Sequence, residues 1–291
     1  MKNSFFFIVF LVIFCRPLSA DNLNIQSSTI SIDKDSKLTV FKNNVVATDN
    51  ENNVLKTEYA EFDKDLKKLI SKGDTTIITS EGYILKGKNI LFDNKNKIIE
   101  SKDPAIITDF EKNNIFLENF KYFTKESFFK SVGNIKIIDF KNNSYNFSQV
   151  YIDEKKKEII GTDIKAFLND KNFRVKDKNK PRVFANTVKI DDKGNEFTKS
   201  IFTLCDYRKN DKCPPWSIQA SKMQHNKTAK TIYYDNAVIK VYDIPIFYLP
   251  KLSHPDPSVK RRSGLLPPAL TNSKNLGTGF KVPYFWAINH D

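Results

Sequence analysis

Apolar residues in the middle of the chain recur at intervals of thirty residues. Four positions keep this spacing over four consecutive units, and each carries an apolar side chain in every unit. The four series are Ala47, Ile77, Ile107 and Ile137; Leu55, Leu85, Ile115 and Tyr145; Phe62, Phe92, Tyr122 and Ile152; and Leu69, Ile99, Phe129 and Ile159. Series that stay in step over this length indicate an internal structural repeat.

Each unit is predicted to consist of short β-strands joined by turns. Residues 85–91 alternate between two faces with period two, and polar segments such as 49–53 and 93–96 have the composition of turns. Further turn-forming segments follow the same interval at 73–74, 103–104, 133–134 and 161–163. No segment keeps a helical period of 3.6 residues beyond a couple of turns. The predicted fold class is therefore all-β.

The core of these units can be interpreted in two ways. A thirty-residue unit cannot bury its apolar face alone, so the units are expected to stack and share one core. Either the protein's own side chains fill that core, or the inward positions line a trough that an apolar ligand can occupy. The residues predicted to line such a lipid-binding groove are Ile77, Ile107, Ile137, Phe92 and Phe129.

Residues 1–20 have the features of a secretory signal peptide. Lys2 precedes an apolar run over residues 5–14, and a Leu-Ser-Ala segment ends at Ala20. This run is too short to cross about 30 Å of hydrocarbon as a helix. Phe14 stands where lipid modification of Cys15 would need a small residue. The sequence therefore predicts export with cleavage after Ala20.

The chain is basic, which bears on its possible partners. The formal net charge is +13, and loss of Lys2 and Arg16 with the signal peptide gives +11. A basic surface attracts polyanions, either nucleic acid or phosphorylated lipid. The lysines are scattered at turns rather than clustered, which favours general use of lysine over a nucleic-acid site. Together with export, this pattern predicts no nucleic-acid partner.

Cysteine and histidine give few candidates for site chemistry. Cys205 and Cys213 remain after export, and an oxidising compartment favours a disulfide, either within the chain or to another segment. The three histidines are too dispersed to suggest a metal site. We find no G-x-S-x-G, H-E-x-x-H or paired-carboxylate motif. The sequence therefore predicts a non-enzymatic protein without cofactor or metal.

The sequence also resembles a known family. The thirty-residue units, over roughly residues 36–200, resemble the OstA-like repeats of lipopolysaccharide-transport proteins. The C-terminal third contains seven further blocks: PPWSIQA at 214–220, IYYDNA at 232–237, VYDIPIFYLP at 241–250, SHPDP at 253–257, KRRSG at 260–264, NLG at 275–277 and VPYFW at 282–286. In this order, the blocks closely resemble the junction of periplasmic domain and barrel in the OstA-like family of lipopolysaccharide-assembly outer-membrane proteins.

This resemblance implies a domain order and a function. Residues 21–260 would form a V-shaped periplasmic β-jellyroll of stacked repeats, and residues 261–291 the first strands of a transmembrane β-barrel, at 265–270 and 280–288. The protein would transport lipopolysaccharide and insert it into the outer leaflet of the outer membrane, shielding the acyl chains in the groove. The implied partners are lipopolysaccharide, an outer-membrane lipoprotein plug and a periplasmic OstA-like bridge protein, the last docking on strands near residues 25–41.

The resemblance also implies roles for four residues. Pro268 and Pro283 would weaken strand pairing at a lateral gate, although edge-strand prolines are an equal alternative. Cys205 would form a disulfide with a cysteine in the distal barrel, and Cys213 offers a second possible partner.

Two other functions are less favoured by the sequence. A soluble periplasmic bridge or chaperone made only of OstA-like repeats would not need the blocks between Pro250 and Trp286. A hydrolytic or adhesive β-solenoid is also possible, but the recurring Asp residues have the positions of turn formers rather than of acids and bases.

Overall fold

The structure is a computed structural model and describes residues 23–32, 38–169, 181–204, 215–256, 259, 263–265, 269–273, 277–281 and 283–288. Its secondary structure consists of β-strands, which confirms the predicted fold class. The strands are β1 Asn24–Gln26, β2 Thr29–Ile32, β3 Leu38–Thr48, β4 Val54–Asp63, β5 Lys68–Ser71, β6 Asp74–Ile78, β7 Ile84–Lys88, β8 Leu91–Asp93, β9 Ile98–Ser101, β10 Ala105–Thr108, β11 Asn114–Leu117, β12 Phe120–Phe123, β13 Phe128–Ile138, β14 Ser144–Asp153, β15 Glu158–Phe167, β16 Arg182–Ile190, β17 Gly194–Thr203, β18 Trp216–Asn226, β19 Thr231–Val241, β20 Ile244–Pro255, β21 Gly264–Leu265, β22 Ala269–Ser273, β23 Gly277–Lys281 and β24 Tyr284–Phe285.

Strands β1–β20 form one antiparallel network that divides into two half-sheets. Strand β4 pairs with β6 through residues 54–57 and with β5 through residues 60–63. Strand β13 pairs in the same way with β12 at one end and β11 at the other. The first half-sheet therefore contains β1, β6, β7, β10 and β11, the second contains β2, β5, β8, β9 and β12, and the long strands run through both.

The half-sheets are joined along what we call the bend edge, where strands pass from one to the other. Strand registers shift there between Lys42 and Val45 in β3 and between Val132 and Ile135 in β13. The segments 133–134 and 161–163 lie inside continuous strands, and in 73–74 Gly73 lies between β5 and β6 while Asp74 begins β6. The prediction of chain-reversing turns at these segments is thus wrong. A β-bulge uses glycine and polar residues much as a turn does, so composition alone does not distinguish them.

The chain reverses at the opposite edge, which we call the turn edge. Turns of the first half-sheet lie at 49–53, 79–83, 109–113 and 139–143, and those of the second at 64–67, 94–97, 124–127 and 154–157. The last residue of each turn in the second set has φ between 51° and 57°, namely Lys67, Lys97, Ser127 and Lys157. The thirty-residue repeat is therefore seen in backbone conformation as well as in residue type.

One hydrophobic core lies between the half-sheets and extends along the chain from Phe41 to Leu252. Leu85 and Ile115 enter it from the first half-sheet, and Leu69 and Ile99 enter it from the second. Each strand places alternate residues on its inner face, so both half-sheets supply apolar side chains to the same interior. Two half-sheets around one shared core form the predicted β-jellyroll.

The C-terminal residues form two small separate sheets, in which β21 pairs with β24 and β22 with β23. Residues 266–268 and 282 of the predicted strands at 265–270 and 280–288 lie outside the described residues, so those two strands stay a prediction. The predicted domain boundary at residue 260 stays a prediction. Among the described residues, no helix has the length and apolar character needed to span a membrane.

Candidate functional site

The five residues predicted to line a groove all lie in the core. Ile77, Ile107 and Ile137 come from the first half-sheet and are 1%, 0% and 5% exposed. Phe92 and Phe129 come from the second half-sheet and are 1% and 2% exposed. In this closed arrangement the protein's own side chains cover all five, so a ligand could reach them only if the half-sheets part. Their role in lipid binding stays a prediction.

Aromatic rings pack between the half-sheets near the turn edge. The Tyr122 and Phe129 rings are stacked with centroids 4.2 Å apart. Tyr83, in a turn of the first half-sheet, lies 6.4 Å from the Phe129 ring and 6.0 Å from the Phe110 ring. Such offset and edge contacts are favourable beyond the area that they bury. The interior is therefore bounded at this edge by aromatic side chains of both half-sheets.

Three of the four turns named above for the first half-sheet share an Asp-x-x-x-Asn motif. In the turn at 109–113, Asp109 accepts hydrogen bonds from the backbone and side-chain nitrogens of Asn113 at 2.9 and 2.7 Å. The Asn113 Oδ1 atom then accepts a bond from the backbone N–H of Phe140 in the next unit. The turns at 49–53 and 139–143 make the same bonds, Asn53 to Ser80 and Asn143 to Asn169. This motif connects adjacent units, and sequence reasoning recognised only its turn-forming composition.

The turn at 79–83 departs from the motif and contacts the second half-sheet. Thr79 replaces the Asp, and its Oγ1 atom accepts a bond from the backbone N–H of Tyr83. The same hydroxyl donates to Oε1 of Glu154 at 2.9 Å, and the Tyr122 hydroxyl donates to Oε2 of Glu154 at 2.7 Å. Tyr122 also lies 3.4 Å from Asn53 Oδ1. We call Thr79, Glu154, Tyr122 and Asn53 the Glu154 cluster.

The electrostatics of this cluster are set by burial. Glu154 is 2% exposed, and desolvation raises the pKa of its carboxyl to about 7, although the Tyr122 and Thr79 hydroxyls oppose that shift. Burial likewise raises the pKa of the Tyr122 hydroxyl, and the Glu154 charge adds to that effect. Removing an ionised carboxylate from water is costly, and two neutral donors offset only part of the cost. Glu154 therefore changes its charge near neutral pH.

Two further contacts join the half-sheets on either side of the cluster. The Lys97 ammonium lies 3.7 Å from a carboxylate oxygen of Glu51. The Lys157 ammonium lies over the Phe110 ring, 4.6 Å from its centroid. In each pair one residue belongs to a turn of the first half-sheet and the other to a turn of the second. Side chains thus bridge the turn edge at several points.

A cavity of about 780 Å³ lies at the bend edge, where β6 and β10 begin and β7 and β11 end. Three residues around it have small side chains or none, namely Thr75, Gly87 and Ala105. Lys86 and Lys88 also contribute to its lining. Sequence periodicity did not predict this cavity, because its small residues occupy repeat positions that carry larger side chains in other units. Gly87, for example, corresponds to Leu117 and Phe147 in the next two units.

The remaining predicted site residues contribute little to a described site. Cys205, Cys213 and Pro268 lie outside the described residues. Pro283 is exposed and immediately precedes β24. At the far end of the network, His225 pairs with Asp256, and the Tyr234 hydroxyl lies 2.9 Å from Nε2 of His254, whose pKa is lowered by burial. Within the described part of the chain, no group of three or more metal-ligating side chains comes together.

Comparison with known proteins gives partial matches. No protein-family model matches the chain. It is 30% identical over 104 residues to the LPS-assembly protein LptD of Pseudoalteromonas translucida, 36% over 80 residues to LptD of Shewanella oneidensis, and 35% over 78 residues to LptD of Francisella tularensis subsp. novicida. The matches cover 36%, 26% and 26% of this chain but only 13%, 10% and 9% of those relatives.

The chain is also similar to a solved structure, although the two superpose poorly overall. It is the crystal structure of LptH from Pseudomonas aeruginosa, described as the LptA homologous periplasmic component of the lipopolysaccharide transport device. The match covers 48% of this chain and 82% of LptH, with 13% sequence identity and a TM-score of 0.22.

Proposed function

We propose that this chain is an LptD-like protein of the OstA family and that it carries the acyl chains of lipopolysaccharide between its two half-sheets. The observation that supports the proposal is the continuous apolar core that both half-sheets share from Phe41 to Leu252. Each CH₂ group removed from water contributes about 0.8 kcal/mol, so acyl chains need an apolar path to cross an aqueous compartment. Parting half-sheets would offer the chains such a path.

The proposal predicts that inward residues contact lipid and their outward neighbours do not. A photo-crosslinking residue at position 107 is expected to capture lipopolysaccharide, because Ile107 is fully buried in the core. A probe at 106 is the matched control, since Ile106 is apolar and adjacent but 40% exposed on the outer face. Inward probes at positions 137 and 77, with outward controls at 136 and 86 respectively, repeat the comparison in other strands. Capture is measured by immunoblotting for lipopolysaccharide after irradiation.

The ratio of lipopolysaccharide capture at position 107 to capture at position 106 tests the proposal. We expect capture at position 107 to exceed capture at position 106 by at least tenfold. Equal capture at the inner and outer positions would show that lipid contacts the protein without entering the interior, and would overturn the proposed function.

The finer aspects of the function are further proposals. We infer an outer-membrane protein whose described residues are mainly periplasmic, and which delivers lipopolysaccharide to the outer leaflet. Its proposed partners are an outer-membrane lipoprotein plug and a periplasmic OstA-like bridge protein that adds to the edge near β1 and β2. Strand addition at an exposed sheet edge is a common mode of protein association. The resemblance of the C-terminal blocks to LPS-assembly proteins supports this reading over a soluble bridge.

Two proposals concern the C-terminal residues. Pro268 and Pro283 would loosen strand pairing at a lateral gate, because proline has no N–H to donate to a strand ladder. Cys205 would form a disulfide with a cysteine in the distal part of the barrel rather than with Cys213. Both proposals rest on the family resemblance given above.

A further inference from the structure

The two edges between the half-sheets differ in what holds them together. At the bend edge, long strands such as β4, β13 and β14 run continuously from one half-sheet to the other. The covalent chain crosses that edge in each of these strands, so the half-sheets cannot part there. At the turn edge, the contacts described above are made by side chains. Opening the interior therefore costs least at the turn edge.

A lipid with a large polar head group imposes a geometric requirement on this interior. Its acyl chains can be enclosed, but its sugars and phosphates need to stay in water because burying unpaired polar groups is costly. The head group must then project through one edge along the whole path of the lipid. Since the chain crosses the bend edge from one half-sheet to the other, the half-sheets can part only at the turn edge, and we expect the head group to project there.

We propose that the Glu154 cluster is a latch that holds the turn edge closed and must release before a lipid occupies the interior. This inference rests on the proposed function. Thr79 and Glu154 come from opposite half-sheets and are bonded at 2.9 Å. The Tyr122 hydroxyl, which donates to Glu154, lies 3.4 Å from Oδ1 of Asn53 in the opposite half-sheet. Glu51 with Lys97 and Phe110 with Lys157 extend the closed contact to either side.

The turn at 79–83 is adapted to this role by its departure from the Asp-x-x-x-Asn motif. In the neighbouring turns, the Asp carboxylate is occupied by the Asn of its own turn. The Thr79 hydroxyl instead makes two bonds. It accepts from the backbone N–H of Tyr83 in its own turn, and it donates to the Glu154 carboxylate in the opposite half-sheet. A carboxylate at position 79 would face the Glu154 carboxylate and repel it. The substitution is therefore what permits the contact.

A reversible cross-link tests the latch directly. In a chain with Cys205→Ser and Cys213→Ser, the pair Thr79→Cys and Glu154→Cys is joined with a short bis-methanethiosulfonate reagent. Lipopolysaccharide capture at position 107 is expected to fall at least tenfold in the joined form and to return after reduction. The control pair is Lys121→Cys with Lys130→Cys, which are cross-strand partners within the second half-sheet. Joining that pair is expected to leave capture unchanged.

The outcomes separate the latch from the proposed function. Capture at position 107 that is equal in the joined and reduced forms overturns the latch but leaves lipid binding in the interior. No capture in the reduced form, with none in the parent chain, overturns the proposed function.

Hydrogen exchange tests the latch without lipid. Glu154→Ala is expected to speed amide exchange at Ser80 and Tyr83 at least fivefold relative to Glu154→Gln, because the glutamine amide can accept from one hydroxyl and donate to the other. Equal exchange rates in the two variants would show that the Glu154 side chain does not hold this edge.

Discussion

Glu154 makes the same backbone hydrogen bond as Asn94 and Thr124, the first residues of the equivalent turns, but its side chain makes a contact that theirs do not. Its backbone N–H donates to the carbonyl of Ser127, as that of Thr124 donates to Lys97 and that of Asn94 to Lys67. Its carboxylate, however, crosses to Thr79, which is 75 residues away in the chain. The sequence predicted the turn from its composition. It did not predict the crossing, because a repeat does not specify which turns of the two half-sheets face each other.

The raised pKa of Glu154 predicts a pH dependence of stability. Its carboxyl has a pKa of about 7 in the folded protein against 4.5 as an ordinary side chain, so folding is favoured by protonation. The contribution is fully present below pH 4.5 and is lost as the pH rises through 7. For one such group, the free energy of unfolding falls by about 2 kcal/mol between pH 5.5 and pH 8.

Urea unfolding at these two pH values measures this contribution. In Glu154→Gln the loss of stability between pH 5.5 and pH 8 is expected to shrink by about 2 kcal/mol, because glutamine does not titrate. The other titratable groups around the site, Glu81, Lys155, Tyr122 and Asp49, are unchanged in the variant. The same pH dependence in both proteins would contradict the assignment to Glu154.

Individual strands follow from the sequence more directly than their grouping into half-sheets. Alternation placed Ile77, Ile107 and Ile137 on an inner face, and all three are buried. The bulges in β3 and β13 were not predicted, since Asn43, Asn44 and Gly133 have the composition of turn residues. Lysine at positive φ, as at Lys67 and Lys97, also escapes prediction because lysine has no preference for that conformation.

One cross-strand contact between β14 and β15 predicts a local sensitivity to a methyl group. A Cβ atom on Gly161 would lie 2.3 Å from Cδ1 of the buried Phe147 ring. Gly161→Ala is therefore expected to lower the free energy of unfolding by about 1–3 kcal/mol, as overpacking does in other cores. Chemical denaturation followed by circular dichroism measures the change.

Two variants control for effects other than this clash. Gly87→Ala is expected to cost less than about 1 kcal/mol, because its Cβ would lie 3.3 Å from the nearest atom, Cβ of Ala105. Adding Phe147→Leu to Gly161→Ala is expected to recover part of the loss. No recovery in the double variant would mean that the ring is not the cause.

At the scale of the whole molecule, the last long strand differs from the rest of the network. Strand β20 pairs with β19 along one side, and its residues Ile244, Ile246, Phe247 and Tyr248 are all more than 40% exposed. Exposed apolar residues on a terminal strand favour association with another strand or an apolar surface.

This apolar strand predicts self-association of the isolated chain without residues 1–20. Ile246→Lys with Tyr248→Lys is expected to shift the chain toward monomer in analytical ultracentrifugation, because charge on a terminal strand opposes pairing. Phe140→Lys is the matched control, since Phe140 is 62% exposed but lies in a turn. Equal association of all three proteins would place the contact elsewhere.

The thirty-residue unit also fixes how long the interior is. Each unit runs once in each direction across both half-sheets, so it adds two strands to each of them. Neighbouring strands lie about 4.8 Å apart, and one unit therefore lengthens the interior by about 10 Å without changing its cross-section. Insertion or loss of whole units would change the reach of the protein in steps of this size. Fifteen residues more or fewer would instead reverse the direction of every later strand, which makes thirty residues the smallest length by which such a protein can grow.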